Sequence, residues 1–404
     1  MAGTPNVIRG IQDTFGPAAA GFEVDIADTL DAIDPRDLPL LSLLGWPKVA
    51  PKEKGAAKGA DTLSNKCTQT THTWLNDELK PNTFVLTAAY TAGDPTITIG
   101  TTTVEYVNVH DRLMIGGAHF RVTAVDTGAG TVSIALLPGA TDAAAANGAT
   151  VRRLGNANVE AKVAEIGGEV PDPTQTSNYT QNIDDRVTIS GTAIEVARYG
   201  IKDNQAHSIA HMIQSKMLEF EQMAVYNLRV ANPSSNTQPA RQFGGLWQFI
   251  RLGTMNQTDQ IINAASARLT EAHFERMPRA IFLAGGGADT ILVPPVQKSI
   301  IDDWNLPYSR LEGFSEERYG GIVSRYRNSF GEYQIVIDRH LNDSDIIFLT
   351  KKFIGIGPLG SRSFKIELLP KGGDYVQWYM HGEYTMEVRN NTRAHGWIHT
   401  LATS

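Results

Sequence analysis

A chain of 404 residues, 42% hydrophobic and 20% charged, can bury two or three cores and has the composition of a folded protein rather than a disordered one. Its 43 acidic and 36 basic residues give a formal charge of −7 with no basic block, which argues against a sequence-specific nucleic-acid reader. The single Cys67 excludes an intramolecular disulfide and a thiolate zinc site, and no apolar run approaches the ~20 residues that span a bilayer.

Residues 1–66 are rich in Gly, Pro, Asp and Ala, with an amphipathic patch at 24–33 and the apolar run Leu38-Pro-Leu-Leu-Ser-Leu-Leu44. Asp34-Pro35 and Leu38-Pro39 break any continuous helix, so these leucines must be covered by the body of the protein or by another subunit. The segment reads as an arm. Trp74–Lys80 and Asn158–Val170 read as the outgoing and returning limbs of one excursion. Between them, 35 of the 74 residues from 82 to 155 are Ala, Gly or Thr and none is Lys. Alternation in Thr96-Ile-Thr-Ile99, Phe120-Arg-Val-Thr-Ala-Val125 and Val132-Ser-Ile-Ala-Leu136, separated by Gly-rich turns, predicts an inserted all-β module, a small barrel or sandwich. Its ends, at Pro81-Asn82 and Gly155-Asn156, should lie close together.

From Asp203 to Ala231 there is no Gly or Pro, and Ala206, Ala210, Ile213, Met217, Phe220, Ala224 and Leu228 recur at helical spacing. This predicts one long amphipathic helix with Asp203 as its N-cap and Ile213, Met217 and Phe220 in its core stripe. Residues 240–360 read as an α/β domain. Its strands are expected at Ala280–Leu283, Gln334–Ile337 and Ile346–Leu349, and its helical stretches near Leu246–Arg251 and Val296–Trp304. Phe364–Leu369 and Tyr375–Val388 read as closing strands in a final segment, 361–404.

The chemical motifs are weak. Gly355-Ile-Gly357-Pro-Leu-Gly360 matches a dinucleotide-binding pattern, but residues 361–368 read as a strand instead of the helix that such a loop must open. Gly285-Gly286-Gly287 lacks the Lys-Ser/Thr of a phosphate loop. His207 with His211, and His395 with His399, have the i, i+4 spacing of paired metal ligands, yet two imidazoles do not fill a zinc shell. Asp184-Asp185, Asp302-Asp303 and Glu316-Glu317 are expected to be solvated pairs. Arg318-Tyr319 and Arg325-Tyr-Arg327 mix base with aromatic, but the acids Glu312, Glu316 and Glu317 beside them cancel the field. No catalytic residue, cofactor or metal site is predicted.

The chain as a whole resembles the SU10-like major capsid proteins of tailed bacteriophages, members of the Hong Kong 97-type fold. The resemblance is carried, in chain order, by Asp25-Ile-Ala-Asp28, Ile33-Asp-Pro35, the Leu38–Leu44 run and Trp74-Leu-Asn-Asp-Glu-Leu79. After the insert come Gln181, Ser190-Gly-Thr192, Tyr199-Gly200, Ala240-Arg241 with Gly244-Gly-Leu246, Tyr326 with Phe330-Gly331, Gly373-Asp374, Thr385–Asn390 and Ala394-His395. The resemblance implies an α+β subunit. An N-terminal arm (1–66) would precede an E-loop whose outgoing limb is 67–81 and whose tip carries the all-β insertion (82–155). The return limb and a peripheral domain with a spine helix would occupy 156–239, an axial domain 240–360, and closing peripheral strands 361–404.

The resemblance further implies a structural, non-enzymatic shell protein that associates with itself in five- and six-membered rings around a double-stranded DNA genome. Assembly contacts are expected at Leu40, Leu41, Leu43, Leu44, Trp74, Asp77 and Glu78. A portal, a decoration protein and, since no charged helical leader precedes the arm, a separate scaffolding protein are the other expected partners. Packaged genomic DNA would lie nearby without specific contact. The expected location is the virion capsid, assembled in the host bacterial cytoplasm, with no membrane involved. The alternatives are a non-viral shell protein like an encapsulin and, from another class, an α/β nucleotide-binding enzyme using the 355–360 loop.

Overall fold

A computed structural model describes residues 37–45, 62–77, 81–157, 173–196, 203–231, 239–252, 260–309 and 325–403. The amphipathic patch at 24–33, Glu78, the return limb at 158–170, and Glu312, Glu316, Glu317, Arg318 and Tyr319 lie outside the described residues.

In chain order the elements begin with α1 (Pro39–Leu43), β1 (Thr71–Asn76), β2 (Thr83–Val85), β3 (Thr96–Thr98), α2 (Thr101–Val104) and β4 (Asp111–Ile115). Next come β5 (Ala118–Asp126), β6 (Thr131–Leu136), β7 (Thr150–Asn156), β8 (Thr174–Tyr179), β9 (Gln181–Ser190), α3 (Gly191–Glu195) and α4 (Asn204–Tyr226). The remainder is β10 (Ile261–Asn263), α5 (Glu271–Leu283), β11 (Thr290–Val293), α6 (Pro295–Ser309), β12 (Arg325–Asn328), β13 (Gly331–Ile337), β14 (Ile346–Leu349), β15 (Ile354–Pro358), β16 (Lys365–Leu368), β17 (Tyr375–Val388) and β18 (Gly396–His399).

The chain divides into two compact units, Trp74–Thr176 and the rest, and passes between them through the two-stranded ribbon of β1 and β8. The first unit holds a six-stranded sheet in the order β2-β7-β4-β5-β6-β3. Near its edges the Thr87 N–H donates to the Thr98 carbonyl at 2.9 Å, drawing the sheet round into a barrel-like closure. Alternate residues point inward, so Phe84, Leu113, Ile115, Phe120, Val122, Val132 and Val151 make one core. Gly130, at φ +66°, passes so close to the backbone of Gly100 and Thr101 that a Cβ would sit 2.7 Å from it, which only glycine permits. Because this core is self-contained, replacing residues 82–155 with a short Gly-Ser linker should leave the secondary structure of the remainder intact. Loss of far-UV circular dichroism beyond the deleted strands would refute that.

The larger unit has two sheets. One is four-stranded, with β17 paired to β9, β15 and β16. The other runs β10-β18-β14-β11-β13-β12, with α5 and α6 in the same unit. Its core joins Phe274, Met277 and Ile281 of α5 to Ile291, Val293, Ile346, Phe348 and Ile398 of the strands.

Three expectations need correction. Ala280–Leu283 closes α5 and is not a strand: Thr270 caps the helix through the His273 N–H, and Phe274, Met277 and Ile281 supply its buried stripe on either side of Pro278. The boundary at 360 also fails. β15, placed with the α/β domain, is an edge of the four-stranded sheet, whereas β18, placed with the closing strands, pairs in parallel with β10 and antiparallel to β14 in the other sheet. The long helix, finally, is shorter than its Gly- and Pro-free stretch. It starts at the Asp203 cap but ends at Tyr226, because Asn227 turns out of it and Val230 exchanges backbone hydrogen bonds with Gln242.

Candidate functional site

The buried face of α4 carries the most unusual feature of the larger unit. At roughly 35 Å for 23 residues, the helix presents Met212, Met217, Phe220, Ala224 and Val225 to the interior, and among them Glu221, which is fully buried. The Glu221 carboxylate accepts the backbone N–H of Leu40 at 2.6 Å and of Leu41 at 2.9 Å. These are first-turn donors of α1, which Leu38 cannot cap with its own side chain, so a glutamate 180 residues away does the capping. Arg339 adds an ion pair to Asp37 at 2.5 Å, and the His340 ring N–H donates to the Asp37 carbonyl at 3.0 Å. Burial pushes the Glu221 carboxyl up to about 8, against the two N–H donors that favour its charged form, and the charge of Asp338 adds to the rise.

The second anchor lies further along the chain, where 62–72 crosses the four-stranded sheet. Thr62 exchanges hydrogen bonds with Ile356, and the Gly360 N–H donates to the Cys67 carbonyl at 2.8 Å. Glu387 of β17, fully buried, accepts from the Ser64 N–H and hydroxyl at 3.0 and 2.8 Å and meets His72 Nε2 at 2.5 Å. Burial alone would lower the His72 pKa, but hydrogen bonds to Cys67 and Glu387 and the glutamate charge outweigh it and raise it to about 9. Burial likewise works against ionised Glu387, yet His72 and Ser64 hold it below the usual carboxylate range. A third carboxylate, Glu383, takes Arg241 at 2.5 Å, Arg362 at 3.1 Å and the Thr180 hydroxyl at 2.6 Å.

Ser64, His72 and Glu387 are the residue types of a hydrolytic triad, but the geometry is wrong for one. The serine donates to the carboxylate and not to the imidazole, and both His72 and Glu387 are sealed from solvent. A shallow groove of about 600 Å³ is lined by Val187, Ser190, Ser208, Asp374 and Tyr375, with no His, Lys or Arg among its described residues to activate either serine. Among the described residues there is no cluster of His, Cys, Asp and Glu that could hold a metal, and no helix long and apolar enough to cross a membrane.

The glycine motif is equally structural. Gly355 and Gly357 lie in buried β15, and a Cβ on Gly355 would come within 2.6 Å of the Thr62 carbonyl, so the glycine makes room for the crossing strap. Gly355→Ala should therefore cost about 1 to 3 kcal/mol through overpacking, as read by a denaturant melt. An unchanged midpoint would mean that the strap moves aside freely.

His207 and His211 stack edge to face with centroids 4.4 Å apart, whereas His395 and His399 diverge. Buried His395 accepts the Thr350 N–H and donates to the Arg389 carbonyl, and burial lowers its pKa to about 4. His399 turns to Thr400 and Arg251 instead. Asp184 stands across from His381, Asp302 pairs with Lys298, and Tyr326 packs edge to face on Phe274 instead of offering a stacking platform.

Of the residues expected at assembly contacts, Leu40, Leu41 and Leu44 are buried by their own chain, which removes them as free contacts; Leu43 is half-buried. Trp74 is buried and Asp77 exposed. In the helix stripe Met217 and Phe220 are fully buried and Ile213 half-buried. Sequence reasoning missed Glu221, Glu383 and Glu387. Only Glu221 left a trace, a charge at the helical step between Met217 and Ala224 where the apolar stripe should be unbroken.

The family model for the SU10 major capsid protein matches residues 8–402. Among curated proteins none matches. Similar solved structures include a Mycobacterium phage Bobi protein, with TM-score 0.40, 12% identity and coverage of 87% of this chain and 94% of that one. They also include the capsid of Cyanophage A-1(L), with TM-score 0.44, 12% identity and coverage of 61% and 85%. Another is the SrpI encapsulin complex of Synechococcus elongatus, with TM-score 0.38, 7% identity and coverage of 58% and 77%. The assignment rests on the family model, which spans nearly the whole chain: this chain belongs to the SU10 major capsid protein family, the shell-forming structural proteins of tailed-bacteriophage virions.

Proposed function

We propose that the chain builds an icosahedral head around a double-stranded DNA genome, in the Hong Kong 97-type manner, from five- and six-membered rings of itself, and that it does so without enzymatic chemistry. The observation that carries this reading is the use made of the buried carboxylates. Glu221, Glu383 and Glu387 are each saturated by backbone or side-chain donors from segments that cross the body, and none is aimed at an open cleft. A shell places one chain in several non-identical environments, so the body must stay rigid while the contacts adapt. Anchoring the arm root at Asp37–Leu44 and again at 62–72 gives such a body. The residues before Asp37 and the β1–β8 ribbon with its insert are then the parts that reach neighbours.

Assembly in the host bacterial cytoplasm, with a separate scaffolding protein, a portal and a decoration protein as partners, belongs to the same proposal. Sedimentation velocity across a concentration series tests it: subunits should give way cooperatively to one large, closed species, as collective contacts require. A gradual ladder of small oligomers, or particles holding protein cargo and no DNA when isolated from infected cells, would contradict it.

A further inference from the structure

The insert carries an unrelieved charge cluster. Its register sets Arg112 of β4 directly opposite Arg121 of β5, and Met114 of β4 opposite both His119 of β5 and Arg152 of β7. All three arginines are exposed, with Val85 and Leu154 beside them on β2 and β7 at 55% and 45% exposure. Like charges directly opposite on antiparallel strands destabilise a sheet. The two carboxylates of these strands offer no relief. Asp111 is buried, pairing with Arg153 at 3.5 Å and accepting the Asn108 N–H, and Asp126 at the far end of β5 accepts the N–H groups of Gly128 and Ala129. Among the described residues, Arg112, Arg121 and Arg152 have no acidic partner.

Two features decide what such a face would take. Residues 82–155 hold four Arg and no Lys against five acidic residues, so the module has no net positive field to draw in a phosphate backbone. Arginine with methionine and exposed aliphatic residues, and without lysine, is instead the composition of a protein interface, and the guanidinium fork matches a carboxylate in two-point geometry. The chain carries a net charge of −7, so a second copy of it is on balance acidic and complementary in charge to these arginines. We propose that the outward face of β7, β4 and β5 docks on the acidic surface of a second copy of this chain in the shell, a docking that rests on the shell-forming role proposed for the chain.

The test compares the full-length wild type with two triple variants, Arg112→Glu/Arg121→Glu/Arg152→Glu and Arg112→Lys/Arg121→Lys/Arg152→Lys. Light scattering gives the concentration at which shells form, and circular dichroism controls for folding. The glutamate variant should need at least about tenfold more protein to assemble, as charge reversal at a complementary contact demands, and the lysine variant should fall between it and the wild type. Added salt should narrow the gap. Should the glutamate variant misfold, the lysine variant alone decides: wild-type onset with wild-type salt dependence overturns the proposal. The same onset in a folded glutamate variant overturns it while leaving the shell reading intact, whereas a wild type that never assembles removes the shell reading itself. Wild-type protein that retards duplex DNA through these arginines, with normal assembly of the glutamate variant, would reassign the face to a polyanion.

Discussion

Phe220→Ala should destabilise the subunit by about 3 to 5 kcal/mol, whereas Glu219→Ala, one residue away, should change stability by less than about 0.5 kcal/mol. Phe220 is fully buried where α4 meets the β-structure, with the rings of Tyr384, Phe243 and Phe364 at 5.4, 5.9 and 6.0 Å. Truncation would lose the transfer free energy of the ring, and three rigid aromatic neighbours limit how far the space can collapse. Glu219 points about 100° round the helix, is half exposed and pairs with Lys216 one turn back, an exposed contact of small worth. Urea melts at concentrations below assembly supply both values. Equal losses at the two positions would mean that α4 is not the axis on which the body packs.

The second large effect belongs to Glu221. Glu221→Ala should cost about 2 kcal/mol or more and release the arm root, because the Leu40 and Leu41 N–H groups would stay buried without an acceptor. Hydrogen exchange at those two amides should rise well before the rest of the subunit opens. pH supplies an independent sign. A carboxyl whose pKa is raised to about 8 in the folded state binds its proton more tightly there than when unfolded, so its contribution to stability is complete below about 4.5 and is lost as pH climbs to about 8. The stability difference between wild type and Glu221→Gln should therefore fall across that window and level off above it; a difference that grows with pH would show that the charged, N–H-bonded form dominates. The same geometry fixes how an arm deletion must be cut. Removing residues 1–45 would strip buried Leu40 and Leu41 from the body as well, so a cut at residue 36 separates assembly from folding.

The parts legible in the sequence are those set by local rules. Asp203 announced the start of α4 because its carboxylate takes the N–H groups of Gln205 and Ala206, and the insert announced itself through alternation between turns. The hidden parts depend on partners far along the chain. Asn227 is one poor helix former in a stretch free of Gly and Pro, a weak stop on its own; its side-chain bonds to Gln181 and the Phe243 carbonyl fix the end there. β18 reads like the strands before it, and only its pairing with β10 and β14 moves it to the other sheet. The apolar run Ala280–Leu283 reads as a strand by itself, and only packing against the sheet makes it the last turn of α5, with Pro278 inside the helix. The buried glutamates were least visible, since a carboxylate on an apolar face reads as surface until the N–H donors that reach it are known.

Negative-stain microscopy of the purified, concentrated chain tests the central claim most directly. A capsid subunit with this anchored body should give closed, uniform shells, whereas dispersed particles the size of one or a few chains at every concentration, with the subunit folded, would contradict it.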